Sequence, residues 1–593
     1  MRYILPVVMA SLLASFTAWA QKERDTTKVS LTKKAFLTGM KLITTSPKDT
    51  VVNEKSIANY TEYAGRVIRN IYVDHIGFER SIYDSTKKVK KIVTNVANAL
   101  HDDTREKTIR QHIFIHRYDP LNPYELADNE RFIRDKDFIL DCRIVVTPVE
   151  GTDSVDLTVI TRDVFSLGAT LGGSFPTAPE IGVYDANLGG RGQHLEFTAL
   201  LDQDRTPKFG YSVLYRKSSF LGSLANIELG YTQINSGISI GQEKEFALLG
   251  RIERPLVSPY SRLAGGLEVS KNWSSNVYNE DEDTFLKYEY KVFNSWIGYN
   301  MGINKMASNR NRQFLAVRYF DGYYVEPPDQ EEAREEVRYN DGFGYLSEFT
   351  FYKQNFYKTR YVFGFGRTED VPYGVSLGIT GGYVRIVDLE RPYSAVKFRY
   401  QAANKRGNFH RLLFQTGGYL RDGEVEDLVA QAGGAYFTRA LNLGSHKFRS
   451  YLSTVYTQIF NHTVSDWLDV TNSDIPGFST DSLKADQRLA VHFETILYSS
   501  WSILGFRMAP FTAIDMVNAR CEKCDFTNDT YFGFSAGLRT RNENLIFGTI
   551  EMKATYIPKD EYGESKFVFG FKQNLRVKNT AVFVRQPTLI RYN

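Results

Sequence analysis

HLEFTALL, residues 194–201, sends Leu195, Phe197, Ala199 and Leu201 to one side of an extended chain and His194, Glu196 and Thr198 to the other. A period of two marks a strand with unlike faces. The texture returns in ANIELGYTQ (225–233), where Ala225, Ile227, Leu229 and Tyr231 oppose Asn226, Glu228 and Thr232. It returns again in TIEMKATYI (549–557), where Ile550, Met552, Ala554 and Tyr556 oppose Glu551, Lys553 and Thr555. From Val164 onward strand follows strand, and no helical period is sustained. A wall with one apolar and one polar face fits a membrane barrel, with lipid outside and a wet lumen inside. A soluble sandwich or propeller would share the alternation, but no blade-length repeat is visible.

Composition agrees. The 593 residues are only 42% hydrophobic yet hold 37 Tyr, 40 Phe and 44 Gly, which suits a barrel with aromatic girdles and low mean hydropathy. No stretch after the N-terminus approaches a transmembrane helix, and an open-edged sheet cannot cross lipid, so a spanning chain of this kind must close on itself. The connections alternate in length. KSSFLGS (217–223) and ENLIFG (543–548) are tight, whereas NVYNEDED (276–283), VEPPDQEEAREEVRYNDG (325–342) and 462–486 are long and polar. Short periplasmic turns and long outer loops give that asymmetry. With both ends of the barrel on the periplasmic side, the expected fold is mainly β: a transmembrane antiparallel barrel over 166–576, with an even number of strands, about 16 to 20.

MRYILPVVMASLLASFTAWA (1–20) places Arg2 before an apolar run and ends on Ala18-Trp19-Ala20, the pattern of a cleaved signal peptide. Residues 21–62 are polar and weakly periodic and read as a linker. A small α/β domain is expected over 63–165: a strand in RVIRNIYVDHI (66–76), a helix in TREKTIRQHIFIH (104–116), and a helix in NPYELADNERFIRD (122–135) opened by Pro123. Strands FILDCRIVVTPVE (138–150) and SVDLTVITRD (154–163) follow around a GTD turn. KFVFGFKQ (566–573) reads as the closing strand, and the tail 577–593 could plug, cap or trail.

The β-α-α-β-β module joined to this barrel resembles the polypeptide-transport-associated (POTRA) domain and barrel of the outer-membrane assembly and secretion superfamily, which includes BamA-like insertases and two-partner-secretion transporters. TIRQHIF, NERFIRD, DCRIVVTP and VDLTVITRD carry the resemblance at the N-terminal end. Near the C-terminus it is carried by IPGFSTDSLKADQRLAVHFETILYS (475–499), RMAPFTAIDMVNA (507–519) and FGFSAGLRTRNENLIFGTIEMKATYIP (532–558). The resemblance implies a long loop folded back inside the barrel, tipped here by Ile475, Pro476, Gly477 and Phe478, with Glu494 and Asp515 as acidic partners on the wall. The family's tip arginine is replaced by Pro476, which has no donor, and Arg488 is the candidate substitute. An ordinary extracellular turn is the competing reading of 475–478.

The resemblance further implies a chain that inserts or translocates unfolded or secreted client polypeptides, with outer-membrane lipid and periplasmic chaperones or accessory proteins as its surroundings. Clients would add a strand to the domain's sheet edge. A seam between LGATLGGSF (167–175) and KFVFGFKQ would open, its glycines weakening the packing. A passive channel or structural anchor whose periplasmic domain docks a partner is the alternative, and the single module and the replaced tip arginine point toward it. A catalytic function finds no support: G-x-S-x-G, H-E-x-x-H and phosphate-loop patterns are absent, and the nine histidines are scattered. His112 and His116 read as helix-surface residues rather than metal ligands. No cofactor is expected. The formal charge of +4 offers no basic face for nucleic acid. Cys142 stands alone, while Cys521 and Cys524 in a polar loop read most simply as a local disulfide.

Overall fold

In the computed structural model, residues 53–590 are described, apart from 77–79, 82–83, 89–101, 175–176, 236–243, 302–310, 335–336, 465–466, 471–473, 479, 504–505, 522–527, 544, 547, 561 and 575–582. The segments read as signal peptide and most of the linker lie outside the described residues.

A three-stranded sheet and two helices come first. Strand β1 (Val67–His75) runs parallel to β3 (Ser154–Asp163), which pairs antiparallel with β2 (Ile139–Pro148). Helix α1 is Glu106–Arg110 and α2 is Pro123–Arg134. The alternation of β3 buries Val155, Leu157 and Val159 against Leu126 and Ile133 of α2. Asn122 caps α2 through its side chain, which accepts from the Tyr124 N–H at 3.0 Å, and Pro123 needs no donor there.

Two expectations for this region fail. The helix expected over 104–116 stops at Arg110, because Asn129 takes over the backbone beyond it: its amide donates to the His112 carbonyl (2.9 Å) and accepts from the Phe114 N–H (3.0 Å). His112 is also buried, not on a helix surface, with Nδ1 2.7 Å from the Thr108 carbonyl and Nε2 3.0 Å from Ser218 Oγ. His116 is exposed, but on irregular chain. In addition Tyr60, within the stretch read as linker, is buried, and its hydroxyl donates to Glu130.

After β3 the chain builds the barrel wall and its connections. Among the described residues the large sheet holds 23 segments. Three are short pieces, Glu54–Lys55, Leu441–Leu443 and Ser502–Ile503, and the remaining twenty form a wall from Leu167–Ser174 to Lys566–Asn574 in which each strand pairs with the next in sequence. Outward positions carry the exposed apolar side chains, among them Leu195, Phe197, Leu229, Val269, Phe293, Leu315, Phe414, Phe534 and Phe569. A belt of that extent suits hydrocarbon rather than water. Inward positions are polar. Glu228 receives Arg216 Nε (2.7 Å) and lies 3.4 Å from Arg251, which also donates to Glu268 (2.6 Å), a charge ladder across four strands.

The alternating directions of the wall strands set which connections share an end. The turns at 186–192, 218–225, 255–262 and 360–368 meet the small domain: Arg105 N–H donates to the Gly190 carbonyl (2.9 Å), Ser219 Oγ to the Gln111 carbonyl (2.6 Å) and Ser258 Oγ to Asp128 (2.8 Å). The long inserts at 276–288, 327–341 and 461–486 lie at the opposite end. The domain is locked to the wall by buried charge. Glu130 on α2 pairs with Arg134 and with Lys358 (2.5 Å) on the strand Gly342–Thr359, and Arg134 reaches Asp141 (2.8 Å) and Asp370. Burial alone would raise the Glu130 carboxyl, but the Lys358 and Arg134 charges hold it at about 2.

Candidate functional site

The last five wall strands and the loop between 461 and 486 form one unit inside the barrel. Inward positions of Gln487–Tyr498, Phe506–Arg520, Asn528–Arg541 and Thr549–Ile557 place Glu494, Asp515, Arg539 and Glu551 on the lumen side. Arg539 grips Glu494 with both terminal nitrogens (2.5 and 2.7 Å) and donates Nε to Glu551 (2.7 Å). A planar fork matched to one carboxylate, with a second on its flank, is the geometry only arginine supplies. Asp515 is paired in register with His492, whose Nδ1 lies 2.6 Å from its Oδ1.

The loop leaves the wall after Phe460 and doubles back as a small ladder, Leu468 opposite Ala485 and Val470 opposite Thr480. Its tip turns inward. Ile475 and Phe478 are buried in a cluster with Val517, Ala519, Tyr531 and Ile557 of the wall. Three contacts seat the tip. Ile475 fits a notch at Gly533, where any Cβ would lie 2.7 Å from the Ile475 Cγ2. The Phe478 ring packs on Tyr531 with centroids 4.8 Å apart, and Lys566 Nζ lies 5.6 Å from its centroid. Gly477, at φ +80°, brings its backbone against Val568 on the last strand.

Of the residues singled out in the sequence, Ile475, Gly477 and Phe478 thus touch the wall, and Arg488 pairs with Asp474 at the base of the tip (3.3 Å). Glu494 and Asp515 share the same lumen face but bond to Arg539 and His492 instead of to the tip. Pro476 leaves no donor for them. Sequence reading missed Arg539, although RTR (539–541) stands in a quoted stretch, because its two acidic partners sit 45 and 12 residues away. Cys521 is buried and disulfide-bonded, Cys524 lies outside the described residues, and Cys142 is a buried free thiol.

Two more features complete the lumen and its wall. Gln573 on the last strand bridges to the first: its Nε2 donates to the Ala169 carbonyl (2.7 Å), and its Oε1 accepts from the Leu171 N–H (3.2 Å). The sheet order places Lys566–Asn574 and Leu167–Ser174 side by side as hydrogen-bonded neighbours, so the wall closes there, and Gln573 adds its side-chain bonds to that junction. The tail, in turn, re-enters the lumen. Phe583 and Val584 are buried against Leu256, Phe314 and Tyr352, and Ile590 against Tyr393 and Leu346.

Only one group has the makings of a metal site among the described residues: His75, Asp103 and Asp163, with ligand atoms within 4.8 Å of one another. His75 Nε2 lies 3.4 Å from Asp163 and 3.6 Å from Asp103, and Asp163 Oδ2 already accepts from the Thr104 N–H and hydroxyl (2.8 and 2.7 Å). Burial works against a charge on His75, but the two carboxylates outweigh it and raise its pKa.

No family model and no curated protein matches the chain. It is similar to solved structures of BamA from Haemophilus ducreyi lacking POTRA domains 1–3 (10% identity, 93% of this chain and 95% of that one, TM-score 0.36). It is also similar to CdiB from Acinetobacter baumannii (12%, 86% and 73%, TM-score 0.41) and CdiB from Escherichia coli (10%, 91% and 96%, TM-score 0.36).

Proposed function

We propose that the protein lies in the outer membrane and inserts or translocates polypeptides there, with the 63–165 domain acting as a POTRA-like capture module on the periplasmic side. The observation that carries this reading is the seam. A barrel meant only to be closed would join its first and last strands by a backbone ladder, because unpaired edge groups in lipid are costly. Here the two strands are hydrogen-bonded neighbours, but the Gln573 side-chain amide supplies two of the bonds across their junction, in place of backbone groups, and such bonds are released by a rotation of one side chain.

The loop tip supports the same reading. By resting Gly477 on Val568 it couples the infolded loop to the strand that would have to move. Client capture by strand addition falls to the outer edge of β1 beyond Ile71, because Tyr118 and Asp119 already pair with Ile68, Arg117 and Arg110 donate to the Arg69 and Ile71 carbonyls, and the edge of β2 is capped by side chains: Glu130 accepts from the Ile144 N–H (3.1 Å), Tyr60 donates to the Ile144 carbonyl (3.3 Å) and Arg134 to that of Cys142 (2.9 Å).

The test is a cysteine pair, Leu171→Cys with Gln573→Cys, in cells where outer-membrane protein content and small-solute uptake are followed together. Oxidation should deplete a defined set of surface proteins and leave uptake unchanged, and reductant should restore them. Full client handling with the seam closed would refute lateral opening. If depletion of the protein alters only solute uptake, the chain is a channel.

A further inference from the structure

The tail does not merely fill space. Wall side chains hold it by its backbone. Gln354 Oε1 accepts from the Phe583 N–H (3.3 Å), Arg318 donates to the Pro587 carbonyl (3.0 Å), Lys397 donates to the Thr588 carbonyl (2.7 Å) and hydroxyl (3.1 Å), and the Tyr393 hydroxyl accepts from the Ile590 N–H (2.9 Å). Three wall strands supply all of these groups: Arg312–Glu326, Gly342–Thr359 and Leu389–Ala403. Contacts to main-chain groups fix a peptide's path while asking little of its sequence. The apolar pockets lie at the two ends, where they take Phe583 with Val584 and Ile590, with lesser side-chain contacts at the Thr588 hydroxyl and Leu589.

The path also has a direction. Gln354 is level, through Gly374, with Gln401 on the strand Leu389–Ala403, and Tyr393 stands eight residues farther along that strand, away from the small domain. At ~3.3 Å per residue the two ends of the track are about 26 Å apart along the wall, comparable to the apolar band of a membrane barrel. Residues 583–590 therefore run lengthwise through the lumen, from the domain end toward the end with the long inserts.

We propose that this strip of wall is a binding track for an extended polypeptide, and that residues 583–590 occupy it as a built-in stand-in for a client. The natural occupant would be a stretched segment with a bulky apolar residue at each end and few demands between. That identity rests on the polypeptide-handling reading; the track itself does not. Lys397 is matched to a carbonyl, while Glu348 (2.9 Å) keeps the ammonium oriented. A client would displace the tail group by group, exchanging like hydrogen bonds at little net cost.

The experiment uses a chain ending at residue 582, the full chain, and a labelled peptide FVRQPTLI (583–590), followed by fluorescence anisotropy in detergent, with heat-modifiable gel migration reporting the folded barrel. The peptide should bind the shortened chain saturably and the full chain at least tenfold more weakly. Lys397→Ala in the shortened chain should cost about tenfold, and a peptide with aspartate at both end positions should not bind. Absence of binding to the folded, shortened barrel, or equal binding to the full chain, overturns the track. Should the shortened chain fail to fold, Lys397→Cys with Thr588→Cys in the full chain gives the second reading. Oxidation should lock the tail and stop client handling reversibly, and handling that continues with the tail locked overturns the proposal. Peptide binding in a protein whose depletion changes no surface proteins would instead retain the track and remove the polypeptide-handling function.

Discussion

The backbone of Gly477 lies so close to Val568 that a Cβ at residue 477 would sit 2.5 Å from the valine Cγ1, and this contact joins the tip of the infolded loop to the last strand of the barrel. Gly477 also holds φ at +80°, a conformation that L side chains rarely adopt. Strain and crowding therefore act together there.

Gly477→Ala should unseat the tip. The backbone strain alone is worth about 1 kcal/mol, and the clash with Val568 adds to it. Limited proteolysis in detergent should cut the 461–486 loop several times faster than in the parent, with the barrel still migrating as folded. Unchanged cleavage would mean that the loop is held without its tip.

The Arg539 fork makes a sharper case. Arg539→Met leaves Glu494 and Glu551 facing each other on the lumen wall without their shared cation, and losing one partner of a largely buried pair costs about 3 kcal/mol. Arg539→Lys keeps the charge but cannot grip both oxygens of Glu494 while reaching Glu551, so it should fall between parent and Met variant. Thermal unfolding followed by gel migration would rank the three. An Arg539→Lys chain as stable as the parent would show that charge alone suffices.

These sites differ in how far the sequence disclosed them. Alternation in HLEFTALL and TIEMKATYI revealed the wall because a strand's period is local, and Gly477 and Phe478 stood out as a motif. Gln573, Arg539 and the residues that hold the tail were not legible. Each works through a partner that the sheet brings near: Gln573 meets Ala169 and Leu171 across some four hundred residues only because the barrel closes. The helix expected over 104–116 failed for a related reason. Its apolar spacing is helical, but Asn129, supplied by a different helix, competes for the backbone at His112 and Phe114. Local pattern cannot report a competitor from elsewhere in the chain.

Arg134 governs the joint between the small domain and the wall. It touches Glu130, Asp141 and Asp370, so Arg134→Met removes the cation these three carboxylates share, leaving Glu130 to Lys358. The domain should loosen while the barrel stays intact. Hydrogen exchange over residues 123–148 should speed up at least tenfold, against no change over 409–460. Equal protection in both variants would mean that the turn contacts at Gly190, Gln111 and Asp128 hold the domain by themselves.

Acid should weaken the same domain through His112. Burial, with help from the Lys136 charge, pushes its imidazole down to about 3, whereas the unfolded chain titrates near the ordinary value of ~6.5. Between those values the unfolded state binds the extra proton, so stability falls as pH falls, by about 1.4 kcal/mol per unit well inside the window. His75 has the opposite sign. Its raised pKa means that the folded domain holds the proton more tightly, a gain present below ~6.5 and lost as pH rises through the folded value. The two are separable by substitution. His112→Gln should flatten the dependence between pH 6.5 and 4, whatever its offset at neutrality, and His75→Gln should lose more stability at pH 5.5 than at pH 8. Hydrogen exchange of the 123–148 amides across that range measures both, and a His112→Gln profile as steep as the parent's would assign the acid sensitivity to other groups.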